Sequence, residues 1–229
     1  MKLVALKYGE STLPCDQLYR GGDPTKSEPI AFALYLLTLG KRQILIDAGC
    51  EDMPGFEMKH FCSPVAVLAR YGLAPEAITD VVITHAHHDH IAAVGRFTEA
   101  RVWIQVDELT KGKKYIPEGM PVRSFTRSAR LADCARIRHV GGHTRGSSVV
   151  EITVGERCYV ITGDACYAPR SLAECIPVGT SREPEKSLAF VRKYANAPFV
   201  PLLAHDPALL PGQNGFLTVL DTDGEENQA

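Results

Sequence analysis

A β-branched apolar run passes directly into a histidine cluster at Asp80-Val81-Val82-Ile83-Thr84-His85-Ala86-His87-His88-Asp89-His90. The first five residues are typical of a buried strand. His85 and His87 are two residues apart, so an extended or turning backbone can aim both imidazoles at one point. Asp89 and His90 follow on a turn. Imidazole nitrogen and carboxylate oxygen bind zinc and similar ions at ~2.0–2.2 Å, so the stretch predicts a metal site rather than a polar surface loop.

Three further potential ligands follow predicted strands in the same way. His143 comes after the strand at residues 136–140, Asp164 after residues 157–162, and His205 after residues 198–204. Taken alone, His143 would be a turn residue and Asp164 a loop cap. Polar side chains just past strand ends face the rim of a sheet, where sites are assembled, so we expect all three to join the cluster.

The remaining pattern predicts strands that come first in pairs and then alternate with helices. Predicted strands cover residues 3–7, 33–38, 43–47, 80–84, 101–104, 136–140, 148–154, 157–162 and, as the last strand, 198–204. Predicted helices cover residues 64–71, 91–97 and 184–194. This order indicates two mixed sheets packed together with helices outside. Residues 1–220 are predicted to form a single domain, and residues 221–229 a polar, disordered tail.

Composition narrows the classes of partner. The chain has 229 residues, 45% of them hydrophobic and 23% charged, with a net charge of -2. That balance disfavours a nucleic-acid partner. Lys111, Lys113 and Lys114 form a local basic run; a solvated helix face is the favoured interpretation, and an anion-binding rim is the alternative. An odd number of cysteines and the absence of a signal peptide predict a cytoplasmic protein, and no apolar run reaches the ~20 residues of a membrane span.

The ordered pattern His-x-His-x-Asp-His, Gly-His-Thr-x-Gly, Gly-Asp and a late histidine resembles the metallo-β-lactamase superfamily. Ile44-Leu45-Ile46-Asp47-Ala48-Gly49 also resembles that family's early strand ending in Asp-x-Gly, whose aspartate is structural. The resemblance spans roughly residues 30–206. It implies an α/β fold, an αββα sandwich of two mixed sheets flanked by helices, with the site along the sheet edges.

The resemblance also implies a ligand set for two zinc ions, with iron, manganese or cobalt as alternatives. Metal 1 would be held by His85, His87 and His143, and metal 2 by Asp89, His90 and His205, with Asp164 between them. A hydroxide bridging the ions would attack a carbonyl, and Asp89 or a metal-bound water would return the proton to the leaving group. His60, His88 and His139 are expected not to be ligands.

The segment Asp164-Ala165-Cys166-Tyr167 resembles the Asp-x-x-Tyr of the N-acyl-homoserine lactonases. In that group the tyrosine hydroxyl donates a hydrogen bond to the lactone carbonyl or its oxyanion. The implied function is a metal-dependent hydrolase of a lactone or ester, with N-acyl-homoserine lactone as the leading substrate, quorum quenching as the role, and Asp89, Tyr167 and Asp164 as catalytic residues. A packing aromatic is the alternative for Tyr167.

The substrate and partner predictions leave alternatives open. Met53, Phe56, Met58 and Phe61 would form either an apolar lip that receives a substrate tail or a plain buried loop. A glyoxalase-II-like thioesterase shares the seven ligands but needs basic residues near the C-terminus, where the chain has Arg182, Lys186, Arg192 and Lys193. A mono-iron sulfur dioxygenase would use His85, His87, His143 and Asp164. The predicted partner of the chain is a small-molecule substrate with an apolar tail, with no nucleic acid and no membrane span, and the chain is expected to be a monomer or homodimer.

Overall fold

The computed structural model describes residues 1–209 and 215–222, which form twelve strands and six helices. The strands are β1 (Lys2–Pro14), β2 (Ser27–Leu39), β3 (Arg42–Ile46), β4 (Asp80–Val82), β5 (Arg101–Gln105), β6 (Val122–Phe125), β7 (Ser128–Arg130), β8 (Ala135–His139), β9 (Ser148–Val154), β10 (Arg157–Ile161), β11 (Phe199–Leu202) and β12 (Gly215–Asp221). The helices are α1 (Cys15–Leu18), α2 (Pro64–Tyr71), α3 (His88–Ile91), α4 (Val106–Gly112), α5 (Pro169–Ala173) and α6 (Pro184–Tyr194). Single 3₁₀ turns lie at Pro75–Ala77, Val94–Arg96 and Gly163–Ala165.

Both sheets are mixed. The larger sheet has the order β12-β1-β2-β3-β4-β5-β6, with antiparallel pairing from β12 to β3 and parallel pairing from β3 to β6. The smaller sheet has the order β11-β10-β9-β8-β7 and is antiparallel except for the parallel pair β10 and β11. Helices flank the two sheets, which confirms the predicted fold class.

Alternating side chains of β1 show how the layers are separated. Leu3 and Ala5 belong to the core between the two sheets, together with residues of the smaller sheet such as Ile137 and Val150. Successive side chains of a strand point to opposite faces. The intervening residues of β1 therefore belong to a second core that includes residues of α2. A third core packs α6 against the outer face of the smaller sheet. The order of layers is helix, sheet, sheet, helix.

Two helices begin and end where the sequence predicts. The hydroxyl of Ser63 accepts a hydrogen bond from the N–H of Ala66 at 3.2 Å and caps α2, and Gly72 ends it with a φ of 93°. A left-handed residue at this position favours glycine, which has no Cβ to clash. α6 spans the predicted residues and begins with proline at its first position.

Other predictions are corrected. Residues 91–97 do not form the predicted helix. The N–H of Ala48 donates to the backbone carbonyl of His90 at 2.7 Å and the N–H of Ala93 donates to that of Gly49 at 2.9 Å, so this backbone bonds to the loop after β3 instead. The strand at residues 198–204 is not the last, because β12 pairs with β1. The edge strands β6 and β7 were also not predicted.

α4 ends at Gly112, so Lys113 and Lys114 lie beyond it and do not share a helix face with Lys111, as had been expected.

The predicted tail begins where the structure still shows order. Asp221 is the last residue of β12, and Thr222 donates its N–H to the carbonyl of Met1 at 2.9 Å. Residues 223–229 lie outside the described residues, so the division into a domain and a tail stays a prediction. None of the described helices combines the length and apolarity that crossing a membrane requires.

Topology brings several strand ends to one edge. In the larger sheet β3 and β4 are parallel, so their carboxyl ends lie side by side. In the smaller sheet β8 and β10 each run antiparallel to β9, and β11 runs parallel to β10. The carboxyl ends of β8, β10 and β11 therefore share one edge, and loops that follow them can meet the loops that follow β3 and β4.

Asp80 ties three strands of the larger sheet together. Its carboxylate accepts hydrogen bonds from Arg42 of β3 at 2.8 Å, from the indole N–H of Trp103 of β5 at 2.9 Å and from Thr79 at 2.9 Å. Asp80 itself is buried on β4, directly before the histidine loop.

We predict that Asp80→Ala lowers the free energy of unfolding by about 2 kcal/mol, because it removes a buried acceptor on which three partly buried donors converge. The measurement is denaturant unfolding followed by circular dichroism. Asp133→Ala is the control: Asp133 also pairs with an arginine, Arg130, but its side chain is 95% exposed, and its loss should leave stability unchanged. Equal stability of the two variants would contradict the role of Asp80.

Candidate metal centre

All seven predicted ligands lie together at the shared edge of the two sheets. His85, His87, Asp89 and His90 occupy the loop after β4 and the first turn of α3. His143 lies between β8 and β9, Asp164 in the 3₁₀ turn after β10, and His205 just past β11. Each residue therefore follows the carboxyl end of one of the strands that the topology aligns.

The ligand atoms form two groups. One consists of His85, His87, His143 and Asp164, and the other of Asp89, His90 and His205; within each group the ligand atoms lie within 4.8 Å of one another. This division coincides with the division predicted from the resemblance. The assignment of ions to the groups stays a prediction.

Asp164 lies between the groups and faces both. Its Oδ2 is 3.2 Å from Nε2 of His143 and 3.5 Å from Nε2 of His85. Its Oδ1 is 2.8 Å from Nε2 of His90 and 3.0 Å from Nε2 of His205. One carboxylate thus presents a different oxygen to each group.

The ring nitrogens that face away from the centre are held by fixed partners. Nδ1 of His90 is 2.7 Å from Oδ2 of Asp47, and Nδ1 of His205 is 2.8 Å from the carbonyl oxygen of Ala31. Nδ1 of His143 is 2.9 Å from the hydroxyl of Thr180. A partner on one nitrogen fixes the ring and leaves the other nitrogen to face the centre, as in known metal sites.

The residues fit a divalent ion. Nε2 of His85 and of His90 are buried and form no hydrogen bond of suitable geometry among residues 1–209 and 215–222, even though a carboxylate oxygen of Asp164 lies within 3.5 Å of each; a buried polar atom is normally bonded. Nε2 of His143 and Nδ1 of His87 face each other at 2.8 Å. Five imidazoles and two carboxylates that converge in this way match the ligands that zinc and related first-row ions prefer.

Electrostatics keep two of the imidazoles neutral. Burial lowers the pKa of His87 to about 4 and that of His143 to about 3, so each has a lone pair to offer at neutral pH. Burial alone would raise the pKa of Asp164, but the surrounding imidazoles, His90 first, hold it well below its usual range. Burial alone would lower the pKa of His90, which the carboxylates of Asp164, Asp89 and Asp47 instead raise well above its usual value.

Asp47, expected to be structural, joins the loop after β3 to the histidine loop. Its carboxylate accepts hydrogen bonds from the backbone N–H of Thr84 at 2.7 Å and from the Thr84 hydroxyl at 2.9 Å, besides its contact with His90. Gly163 packs against the same threonine: a Cβ at Gly163, where φ is +48°, would lie 2.6 Å from Oγ1 of Thr84. The approach of the Asp164 turn to the His85 loop therefore requires glycine.

Glu108, which the sequence analysis missed, connects the two ligand loops. It is buried on α4, and its carboxylate accepts hydrogen bonds from the N–H of Ala86 and from the N–H of Gly146, both at 2.9 Å. Ala86 lies between two ligands, and Gly146 lies three residues after His143. Burial alone would raise the pKa of Glu108, but these N–H groups and the hydroxyl of Thr144 lower it, so Glu108 is an anion. An acidic residue in the first turn of a helix is common, so nothing in the sequence marked Glu108 as part of the site.

The hydroxyl groups of Tyr8 and Thr180 also belong to the site, although they were not predicted from the sequence. Tyr8 donates a hydrogen bond to the backbone carbonyl of Asp89 at 2.8 Å. Thr180 lies between His143 and Tyr167, whose hydroxyl is 3.2 Å from Oγ1 of Thr180. Tyr167 is buried and donates a hydrogen bond to Oδ2 of Asp164 at 2.9 Å. The predicted tyrosine therefore lies at the centre, in contact with the carboxylate that faces both groups.

The three histidines expected not to be ligands lie outside both groups. Nε2 of His88 contacts Oδ1 of Asp52 at 3.0 Å. His139 contacts the carbonyl oxygen of Arg145 at 2.7 Å, and His60 is exposed.

The centre opens into a cavity of about 810 Å³. Met53 and Phe56 line it, so this part of the segment forms an apolar wall. Met58 and Phe61 are not among the lining residues, although all four side chains are half-buried against the same core; the Phe61 ring is 6.1 Å from that of Tyr8. The first half of the segment therefore lines the cavity, and the second half does not.

Comparison with known proteins finds one family and several relatives. The family profile of the metallo-beta-lactamase superfamily matches residues 33–175, more than half of the chain. Metallo-beta-lactamase domain-containing protein 1 of Homo sapiens is 40% identical over 102 residues, which are 44% of this chain and 37% of that protein. The Mus musculus protein of the same name is 43% identical over 53 residues, 23% of this chain and 20% of that protein. The matches thus cover between a fifth and just over a third of these relatives.

Solved structures share the fold over nearly the whole chain. A quorum-quenching N-acyl homoserine lactone lactonase has a TM-score of 0.80 at 19% identity, covering 93% of this chain and 95% of that chain. A dizinc quorum-quenching lactonase has a TM-score of 0.72 at 17% identity, covering 96% and 94%. A probable metal-dependent hydrolase from Staphylococcus aureus has a TM-score of 0.75 at 18% identity, covering 90% of each chain.

We predict that Glu108→Gln lowers the affinity for metal ions about 10- to 100-fold, as for other residues that orient metal ligands. Glutamine has nearly the same shape, but its NH₂ group would face one of the two backbone N–H donors and push a ligand loop away. The measurement is competition with a chelator of known affinity. Glu118→Gln, the same change at an exposed residue, is the control and should keep the full affinity. Equal affinities would show that Glu108 does not position the ligands.

Proposed function

The chain belongs to the metallo-beta-lactamase superfamily, and from that membership we propose that it is a metal-dependent hydrolase of lactones or esters. The observation that carries the proposal is the position of Asp164, which directs one oxygen to each of two groups of potential ligands. His85, His87 and His143 would hold one ion and Asp89, His90 and His205 the other, with Asp164 shared. Zinc fits this ligand set, and iron, manganese or cobalt are the alternatives.

When bound, such ions lower the pKa of water toward 7 and polarise the substrate carbonyl. The overall reaction adds the oxygen of water to the carbonyl carbon and breaks the acyl C–O single bond. One proton of the water ends on the released alcohol oxygen. A lactone therefore gives a single hydroxy acid, and an ester gives an acid and an alcohol.

Tyr167 is suited to stabilise the negative charge that develops on the carbonyl oxygen. Its side chain lines the cavity beside the centre. Burial, and next the carboxylate of Asp164, raise the pKa of Tyr167 well above its usual value, so the hydroxyl keeps its proton and remains a donor. Rotation of this hydroxyl from Asp164 toward the substrate would provide a hydrogen bond that strengthens as charge develops.

Asp89 is the proposed carrier of the proton. Its side chain lines the cavity, and its Oδ2 lies 3.3 Å from Nε2 of His90. Burial alone would raise the pKa of Asp89, but His90 outweighs it and lowers the pKa, so Asp89 is ionised at neutral pH. A carboxylate of low pKa accepts a proton only briefly, which suits transfer to a strongly basic leaving oxygen.

N-acyl-homoserine lactone is the leading substrate, and quorum quenching the corresponding role. Leu13, Ile30, Phe32, Met53 and Phe56 form an apolar wall along the cavity, which suits an acyl chain. One solved structure of the same fold has the product N-hexanoyl-L-homoserine bound at its catalytic metal centre, with a TM-score of 0.77 and 19% identity. That likeness is one of fold, and the apolar wall is the feature of this chain that supports the substrate.

The two rival functions make different demands on the site. Of the four basic residues that a glyoxalase-II-like thioesterase would draw on, Arg182 alone lines the cavity, while Lys186 pairs with Glu183 at 2.7 Å and Lys193 lies over the ring of Tyr194. A mono-iron dioxygenase needs only the group that contains His87. The second group, completed by His205, has no role in that reaction.

We predict two divalent ions per chain, and loss of activity toward esters and lactones on chelation with recovery when metal is restored. His205→Ala should retain about one ion, because it removes a ligand from one group only. The measurement is metal content by mass spectrometry on purified protein, which distinguishes a centre of two ions from a centre of one. His60→Ala, a change at an exposed histidine outside both groups, should keep both ions. A single iron per chain with oxygen uptake would refute the hydrolase.

We predict that Tyr167→Phe lowers kcat for esters and lactones about 100-fold or more, the typical loss on removing one donor to an oxyanion, while metal content stays unchanged. Steady-state kinetics with parallel metal analysis measure both. Tyr159→Phe on β10 is the matched control and should leave kcat unchanged. Loss of metal in Tyr167→Phe would instead assign Tyr167 to holding Asp164, and an unchanged kcat would leave it only a packing role.

A further inference from the structure

The cavity at the metal centre has two unlike sides. One side is the apolar wall described above. On its border lie three basic side chains, which we name the cationic rim: Lys111, Lys114 and Arg182. Lys113, which belongs to the same run of sequence, is not among the lining residues. The rim is therefore a selection of basic residues that face one cavity, not simply a basic stretch of chain.

The rim is assembled from two separate segments. Lys111 lies in the last turn of α4 and Lys114 just beyond that helix, whereas Arg182 precedes α6. A lysine at the carboxyl end of a helix favours the helix dipole, which explains Lys111 without any ligand. The same reason extends to Lys114, which follows the C-cap of α4, but not to Arg182, which precedes the amino end of α6.

The rim is held close to the metal centre on both sides. Nζ of Lys114 lies 4.6 Å from the centre of the Tyr115 ring, and the hydroxyl of Tyr115 is 3.4 Å from Nδ1 of His88. His88 stands between two ligands in the chain. On the other side, the N–H of Arg182 donates to the carbonyl of His143 at 3.4 Å.

No carboxylate of the described residues pairs with the rim. Within residues 1–209 and 215–222, none of its three side chains forms an ion pair, although other basic residues of the chain do, as Arg96 does with Glu51 and Arg170 with Glu174. The carboxylates that line the cavity are those of Asp89 and Asp164, both already in contact with imidazoles at the centre. The cavity thus concentrates positive charge in a chain whose net charge is -2.

We propose that the cationic rim binds an anionic group of the substrate, a carboxylate or a phosphate, while the scissile carbonyl lies at the metal centre and the apolar portion lies along the wall. The proposal rests on the proposed hydrolase function and narrows its substrate class. The substrate is an amphipathic ester or lactone that carries a negative charge away from the bond that breaks. A neutral N-acyl-homoserine lactone would occupy the same cavity without engaging the rim.

The test uses the metal-loaded protein and three esters with the same acyl chain and leaving alcohol, which differ only in a terminal primary amide, carboxylate or phosphate. Wild type should show kcat/KM at least about 10-fold higher for the anionic esters, chiefly through a lower KM and most strongly at low salt, because salt screens exposed charges. Comparison of kcat/KM between the carboxylate and the phosphate ester identifies the preferred anion. Lys111→Gln/Lys114→Gln/Arg182→Gln should reduce both anionic esters to the level of the amide and leave the amide unchanged.

Lys113→Gln/Lys186→Gln is the matched control, since it removes exposed lysines of the same segments that do not line the cavity, and it should behave as wild type. Equal kcat/KM for all three esters in wild type would overturn the proposal, as would a rim variant that keeps the preference for anions.

A binding measurement distinguishes failure of the rim proposal from failure of the proposed hydrolase function. A non-hydrolysable amide analogue of the carboxylate ester is titrated calorimetrically into metal-loaded wild type and rim variant. About 10-fold weaker binding to the variant supports the anion site even if no ester is turned over. Equal binding to the two proteins overturns it whether or not esters are hydrolysed.

Discussion

One buried carboxylate, that of Asp164, connects the two halves of the fold at the metal centre. Two of the imidazoles around it come from the loop after β4 in the larger sheet, and two come from the smaller sheet, at His143 and His205. Burial of an ionised carboxylate is costly unless charge or hydrogen bonds compensate for it. The edges of both sheets therefore have to converge on this one side chain, and the glycine before it has to allow that approach.

Two other buried carboxylates, Asp47 and Glu108, extend this constraint to the backbone. Each accepts a hydrogen bond from an N–H next to a ligand, Thr84 before His85 in one case and Ala86 after it in the other. The histidine loop is thus held from both sides by anions that are not themselves among the potential ligands. A loop that carries four ligands needs this support, because a displaced ligand weakens the whole centre.

The sequence predicted the site best where residues with metal-binding side chains follow strands that can be recognised in the chain. The seven potential ligands were predicted because four lie in one histidine-rich run that begins at a strand end, three others each follow a later strand, and their order resembles that of a known family. Glu108, Tyr8 and Thr180 were not, because their roles depend on backbone groups and side chains distant in the chain, which no local pattern records. β12 was missed for a related reason: it is an edge strand that pairs with β1, at the other end of the chain, and no local pattern records such a partner.

The basic run shows how one stretch of sequence divides when it folds. A helix face was the natural expectation for lysines spaced at 111, 113 and 114, but α4 ends at Gly112, where a Cβ would lie 2.8 Å from the side chain of Ile104. The chain turns there, and two of the three lysines line the cavity while the third does not. Net charge, which is slightly negative, therefore describes the surface as a whole but not the electric field that a substrate meets in the cavity.

Two divalent ions would carry more positive charge than the carboxylates of Asp89 and Asp164 neutralise, so the metal ions and the cationic rim would both attract an anionic substrate. In a cavity with an apolar wall such charges are less screened than at an open surface. The electrostatics of this site are thus set by where the helix ends as much as by the residues that would hold the metal.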